Sequence, residues 1–470
     1  MNTKELINVI EEKKQVVLDA GKYIWENPEP GYREEKTHAY LKARYEELGL
    51  TVHELTRIPA AIAKKTAENG EDRIFPWIPG FWVDFETGKP GPRLAIFGEL
   101  DSLIIPTHPE CDPVTGAVHA CGHHCQSAAL LGVAIALAQP GALEGLCGSI
   151  RLIAVPAEEL IETDYRKGLR DKGVIKYFGG KQELIRRGLL DDVDLAFMVH
   201  TAIGRKLVMG AGSDGCIVKE MAFLGKSAHA GGSPELGINA LYAANLAMNA
   251  ANALRETFVE KDCIRFHPII TAGGSAVNAI PEKVTMEAYI RGASMAAIEK
   301  TNKKINRAMA ASAAAMGCRM QLTDYAGYAV RKNEKTIGDA FLAVGEELLG
   351  KERLDMACVS WSTGCSDMGD VSCIMPAAHP SIGGATGHAH GSDYFITDAE
   401  LAMVTSAKVQ IGAARALLEN GAAQAQKVIA EYKPVYASPQ AYMEAIDKLA
   451  FSGDTVFYQE NGEVVLNYNA

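Results

Sequence analysis

Cys121 and His123 flank Gly122 in the run His119-Ala120-Cys121-Gly122-His123-His124-Cys125-Gln126. A thiolate and an imidazole this close on a tight loop can share one metal ion. Gly122 suits the turn, because a residue without Cβ accepts backbone angles that others avoid. More donors lie far downstream: Glu158 and Glu159 in Pro-Ala-Glu-Glu, His200 in Met-Val-His, and His388 and His390 in Gly-His-Ala-His. Adjacent glutamates after the apolar run Leu152-Ile153-Ala154-Val155-Pro156 are costly to desolvate without a cation. One of them can bind an ion while the other takes a proton from an activated water, the division of labour that hydrolysis needs. A Cys-x-His alone more often marks a buried cysteine beside a structural histidine, and these companions reverse that reading.

Each donor set closes a segment with strand character. Helical periodicity over 4–26 stops at Asn27-Pro28-Glu29-Pro30-Gly31, and an amphipathic helix follows over 34–48 with Gly49 as its C-cap. A short strand is expected at 51–55. Apolar strands at 81–85 and 94–100 are joined by the turn-rich Glu86-Thr87-Gly88-Lys89-Pro90-Gly91-Pro92, which predicts an antiparallel hairpin delivering Asp101 to a strand end. A nearly all-apolar helix is expected over 127–139, with buried strands at 149–155 and 195–199. Alternating strands and helices predict an α/β domain with a mainly parallel sheet, whose ligand site lies at the C-terminal strand ends.

From 215 to 326 the pattern changes to a strand (217–224), a helix (234–255), two strands (264–271 and 284–291) and a long helix (295–316). It predicts an inserted α+β, ferredoxin-like unit with two helices on one face of an antiparallel sheet. The expected division is a catalytic domain over 1–214 and 327–470, interrupted by this insert at 215–326. A helix at 334–349, strand-like residues at 371–375 and a helix over 398–432 complete the second catalytic part. The tail after Lys433 receives no function. Gly210-Ala211-Gly212-Ser213-Asp214-Gly215 has G-x-G-x-x-G spacing, but strand-like residues follow it; a dinucleotide site needs a helix N-terminus there, so a connection between domains is expected instead.

A chain of 470 residues exceeds what one core usually serves. With 48% hydrophobic and 22% charged residues it has an ordinary globular composition. A net charge of −11 without a basic stripe argues against nucleic acid or an anionic membrane as partner and favours a small molecule. No apolar run spans a bilayer, the N-terminus lacks the apolar core of a signal peptide, and ten scattered cysteines read as reduced, so a cytoplasmic location is expected.

Asn27-Pro28-Glu29-Pro30-Gly31, Gly98-Glu99-Leu100-Asp101, His119-Ala120-Cys121-Gly122-His123, Pro156-Ala157-Glu158-Glu159, His200, Lys226 to Gly231, Asn278-Ala279-Ile280-Pro281 and Ser366 to Ser372 fall in the order of one family. Over 20–415 the chain resembles the two-metal aminoacylase/carboxypeptidase amidohydrolases, above all the branch with aminobenzoyl-glutamate hydrolase subunits and auxin-conjugate hydrolases. That resemblance implies a zinc-peptidase-like catalytic domain with an inserted lid and dimerisation domain. It implies that Cys121, His123, Glu159, His200 and His390 hold two divalent ions, with Cys121 near or between both. Zinc or manganese suits such a mixed set, and cobalt is acceptable. Glu158 would be the general acid/base and Asp101 would orient a ligand from behind. His390 is preferred to His388 because His-Gly-Ser-Asp-Tyr-Phe spaces it as in relatives.

Glu99 stands where distant relatives have a ligand histidine, although the cysteine-containing branch also has an acid there. His124 and Gln126 depart from the branch, which bears on substrate preference. In the insert, His229 would support the oxyanion in a partner chain's site, while Asn278 and Arg291 would hold the substrate carboxylate, a task the planar guanidinium fork fits. The implied substrate is an N-acyl or aminobenzoyl amino acid or a small dipeptide. The implied assembly is a homodimer through the insert or a heteromer with a related subunit. The alternative is a non-catalytic subunit binding metal or carboxylate, against which the presence of Glu158 counts.

Overall fold

The structure, a computed structural model, describes residues 1–67 and 70–468. They form two compact units: residues 1–212, 331–361 and 366–440, and residues 213–330, 362–365 and 441–470, of which 469 and 470 lie outside the described residues. The chain first passes between them at Gly212–Ser213, within the glycine-rich 210–215 segment.

The first unit is built on a six-stranded sheet in the order His53–Glu54, Phe81–Glu86, Ser149–Val155, Arg93–Glu99, Leu195–Phe197 and Ala377–Ala378. The four strands from Ser149–Val155 to Ala377–Ala378 run parallel, Phe81–Glu86 runs antiparallel to them, and His53–Glu54 pairs antiparallel with Phe81–Glu86 at the edge. The expected hairpin does not form. Ser149–Val155 lies between Phe81–Glu86 and Arg93–Glu99 and pairs with both. Every residue of that intervening strand is buried, so it needs a neighbour on each side, and a turn-rich connection cannot specify which strand that will be. The helix His123–Leu137, buried along its whole length, packs on Arg93–Glu99 and against the helices Lys14–Glu26 and Ser406–Leu418. A helix that is apolar on all sides from Ala128 onward is stable only inside such a layer.

Other expectations are corrected. The segment expected as strand at 371–375 is helical, Met368–Ile374, because a short apolar run does not distinguish the two periods. The first helix is two, Thr3–Glu12 and Lys14–Glu26. The helix expected over 398–432 breaks at Gly421, whose φ of 71° is left-handed.

The second unit runs strand Gly215–Leu224, helix Ala240–Ala253, strands Arg265–Ala272 and Lys283–Gly292, helix Met295–Ala315 and strand Arg319–Ala326. This βαββαβ order with an antiparallel sheet is ferredoxin-like. The last strand was not expected. The tail, expected to lie with 327–440, adds Phe451–Tyr458 and Val464–Leu466 to this sheet beside Arg319–Ala326. An edge strand with unpaired backbone groups is a template for such pairing.

Candidate active site

The site residues of the first unit sit on loops leaving its strands. Arg93–Glu99 leads into Asp101, whose carboxylate meets His123 Nδ1 at 3.1 Å and accepts the Glu159 N–H at 2.8 Å. Gly122 turns the 119–122 loop into its helix with a φ of 87°. A Cβ there would lie 2.7 Å from both Thr201 Cβ and Tyr394 Oη, so glycine is required by angle and by space. After Ser149–Val155 the chain turns through Ala157, itself left-handed at 56°, whose N–H donates to Glu34 at 2.8 Å. This turn delivers Glu158 and Glu159. His200 opens the strand His200–Ile203. His390, left-handed at 62°, donates its backbone N–H to the Ala120 carbonyl at 3.0 Å, which ties the two loops together.

These elements bring the donor atoms of Cys121, His123 and His200 within 4.8 Å of one another, and likewise those of Cys121, Glu159 and His390. Cys121 belongs to both groups. Its Sγ lies 3.4 Å from His200 Nε2, and His390 Nε2 lies 3.3 Å from Glu159 Oε1. His388 is turned elsewhere, its Nδ1 2.8 Å from Asp393 Oδ2 and its side chain 86% exposed. A third group joins Glu99, His123 and Glu158.

The electrostatics match a cation centre. Burial and the Glu159 carboxylate push the Cys121 thiol up, yet the imidazoles of His123 and His200 bring it down to about 6. Burial would lower His123, but Glu99, Cys121 and Asp101 raise it well above the usual range. Burial would also raise Glu159, and His390 outweighs it and holds the carboxyl low. Glu158 goes the other way: burial, then Glu99, Glu159 and Asp367, lift it well above the carboxylate range. The donor set fits metal ions. His123 Nε2 and Glu159 Oε1 are buried without a hydrogen-bond partner, each facing another donor of its group. A thiolate, imidazoles and a carboxylate are what a borderline-soft divalent ion takes.

In the second unit the predicted substrate residues separate. His229 and Asn278 lie on adjoining loops, where Ala230 N–H donates to the Asn278 carbonyl at 2.9 Å. His229 Nδ1 accepts the N–H groups of Gly231 and Gly232 at 3.1 and 2.9 Å, so its proton resides on Nε2. Arg291 stands at the far end of Lys283–Gly292, eight residues from Lys283 and so roughly 27 Å along the strand. Its guanidinium lies over Tyr289 and donates to the Thr363 carbonyl.

Sequence reasoning missed Lys181 and Asp367. Lys181 Nζ is 2.6 Å from Glu99 Oε1 and 2.5 Å from Asp367 Oδ1, with all three side chains fully buried. The 366–372 motif carried a signal for the aspartate, but a lysine in a helix of mixed charge gives no sign of its burial.

A parallel sheet carrying a cysteine-histidine-carboxylate centre with a glutamate beside it defines a metal-dependent amidohydrolase. Comparison with known proteins agrees. Residues 96–413 match the model of peptidase family M20/M25/M40, and the chain belongs to that family. Mouse Xaa-Arg dipeptidase is 29% identical over 365 residues, which cover 76% of this chain and 74% of the relative. A p-aminobenzoyl-glutamate hydrolase subunit of Escherichia coli K12 is 31% identical over 231 residues, covering 46% of this chain and 48% of the relative. A dinuclear metal binding M20 peptidase of Bacillus subtilis, YXEP, superposes with a TM-score of 0.59 at 19% identity, covering 86% of this chain and 97% of its own. The protein is thus a hydrolase of amide or peptide bonds. No helix among the described residues is long and apolar enough to cross a membrane.

Proposed function

We propose that the protein hydrolyses the amide bond of an N-acyl or aminobenzoyl amino acid, or of a small dipeptide, with two divalent ions. The observation that carries this reading is the membership of Cys121 in two donor groups beside Glu158. Cys121, His123 and His200 would hold one ion and Cys121, Glu159 and His390 the other, zinc or manganese by donor type and cobalt acceptably. When bound, the ions supply Lewis-acid polarisation of the scissile carbonyl and make the attacking water more acidic.

The chain's own residues do the rest. Asp101 holds the ring of His123 through Nδ1, leaving Nε2 to face the centre. Glu158 takes the proton of the attacking water as oxygen adds to the carbonyl carbon. It returns that proton to the nitrogen as the C–N bond breaks, so a free amine and a carboxylic acid leave. The fixed tautomer of His229 offers an Nε2–H donor suited to the oxyanion. Arg291 and Asn278 suit a substrate carboxylate, but they stand at opposite ends of their sheet. A dimer formed through the insert, in which one chain lends His229 and Asn278 and the other Arg291, resolves that separation. A related subunit could take the partner's place. A cytoplasmic location is in keeping with reduced cysteine ligands.

The test is hydrolysis of p-aminobenzoyl-glutamate, N-acyl amino acids and dipeptides by the purified protein, with metal content and oligomeric state measured on the same sample. Chelator-sensitive release of a free amino acid is expected. A dimer holding its metal and cleaving none of the panel would contradict the substrate assignment.

A further inference from the structure

Ala157 and Glu159 flank Glu158, and the backbone N–H and carbonyl of both are bonded. The Ala157 N–H donates to Glu34 Oε1 at 2.8 Å, and the Ala157 carbonyl accepts from the Gly180 N–H at 3.0 Å. The Glu159 N–H donates to Asp101 Oδ2 at 2.8 Å, and the Glu159 carbonyl accepts from the Ile161 N–H at 2.9 Å and from the guanidinium of Arg166. Arg166, on the helix Thr163–Asp171, is fully buried, and its Nη1 donates to the Phe178 carbonyl at 2.7 Å. A planar fork with a donor on each arm fixes two carbonyls at once.

The turn needs such holding. Ala157 is left-handed at 56°, and so are Tyr32 at 63° and Glu162 at 55° on the neighbouring segments. A residue with a Cβ persists in that region only where its surroundings over-determine it, and such residues cluster at active sites. The Asn27–Gly31 motif supplies part of the surroundings. The Glu29 carboxylate accepts the N–H groups of Lys36 and Thr37, each at 3.0 Å, and its carbonyl accepts the Ser102 N–H at 2.9 Å, which anchors the motif beside Asp101. Gly31 then passes so close that a Cβ there would overlap Arg166 Nη2 and lie 2.9 Å from Ala157 Cα.

We propose that Arg166 is a positioning residue which, with Glu34, keeps Ala157 left-handed and so fixes Glu158 and Glu159 at the metal centre. The inference rests on the reading of Glu158 as base and Glu159 as ligand given above.

The experiment measures kcat and KM on p-aminobenzoyl-glutamate, and zinc content after loading and dialysis, for wild type, Arg166→Met and Arg166→Met/Ala157→Gly, each checked for fold by circular dichroism. Arg166→Met is expected to lower kcat by about 10²-fold with KM within about twofold, and to retain about one zinc ion per chain where wild type retains about two. Glycine adopts the left-handed conformation without steric cost, so the double variant is expected to recover about tenfold or more in kcat and to regain the second ion. An arginine needed only for stability would not be rescued by glycine at 157. Should Arg166→Met fail to fold, Glu34→Ala and Glu34→Ala/Ala157→Gly carry the same comparison, because the first leaves the Ala157 N–H without its acceptor. A single variant with wild-type kcat and zinc content, or a double variant no better than the single, would overturn the proposal. Fewer than two zinc ions in wild type, or two with p-aminobenzoyl-glutamate left intact, would instead contradict the reading it rests on, and the remaining readout would still compare the variants.

Discussion

Cys121 Sγ lies 3.4 Å from His200 Nε2, and the same sulfur groups with Glu159 and His390. A donor shared in this way makes the two metal positions interdependent. Cys121→Ala is therefore expected to lose both ions, whereas His390→Ala, which removes a donor from one group only, retains about one ion per chain. Elemental analysis of the two variants checks this, and equal losses would contradict the shared role of Cys121.

Away from the centre, His38 gives stability a pH dependence of definite sign. Burial lowers its pKa below 6.5 and outweighs the nearby Glu54 carboxylate, while its Nδ1 accepts the Gly80 N–H at 3.0 Å. The unfolded chain thus binds the proton more readily than the folded one. The contribution of this group is present above about pH 6.5 and is lost as pH falls through the lower folded value. Melting temperatures between pH 8 and pH 5 are expected to fall less steeply for His38→Asn, whose amide oxygen can still accept from Gly80.

The tail stabilises the insert. Tyr442, Ile446 and Val456 are fully buried, and Phe451–Tyr458 covers the edge of Arg319–Ala326. Ile446→Ala is expected to cost about 2–5 kcal/mol, and removal of 441–470 to leave an open strand edge that associates. Denaturant titration and light scattering measure the two effects.

Lys219 in the same unit is buried with Asp324, Asn302 and Asn306 around it. Lys219→Met leaves the aspartate uncompensated and is expected to cost about 3–5 kcal/mol, while Lys219→Met/Asp324→Leu recovers most of that loss. A double variant no more stable than the single one would show that the pair itself contributes net stability.

The donors were legible in the chain because each sits in a short motif at the end of an apolar strand: Cys121 and His123 around a glycine, Glu158 and Glu159 after Pro156, His200 after Val199. The separation of Arg291 from His229 was not, since sequence order gives no distance across a sheet. Nor was the pairing of Lys181, whose partners Glu99 and Asp367 are 82 and 186 residues away. Strand order failed for a similar reason: Phe81–Glu86 and Arg93–Glu99 are sequence neighbours, but the buried strand Ser149–Val155 competes for both edges. The tail strand Phe451–Tyr458 includes Ser452, Gly453, Asp454 and Thr455, too polar to declare itself before its partner edge is known.

In the proposed reaction Glu158 moves the proton while its neighbours hold the ions. Glu158→Gln keeps the shape of the side chain and removes its basicity. The measurement is turnover of the best amide substrate together with metal content on the same preparation. Unchanged metal content with turnover lowered by about 10²-fold or more is the predicted result. Turnover within a few fold of wild type at full metal content would contradict it.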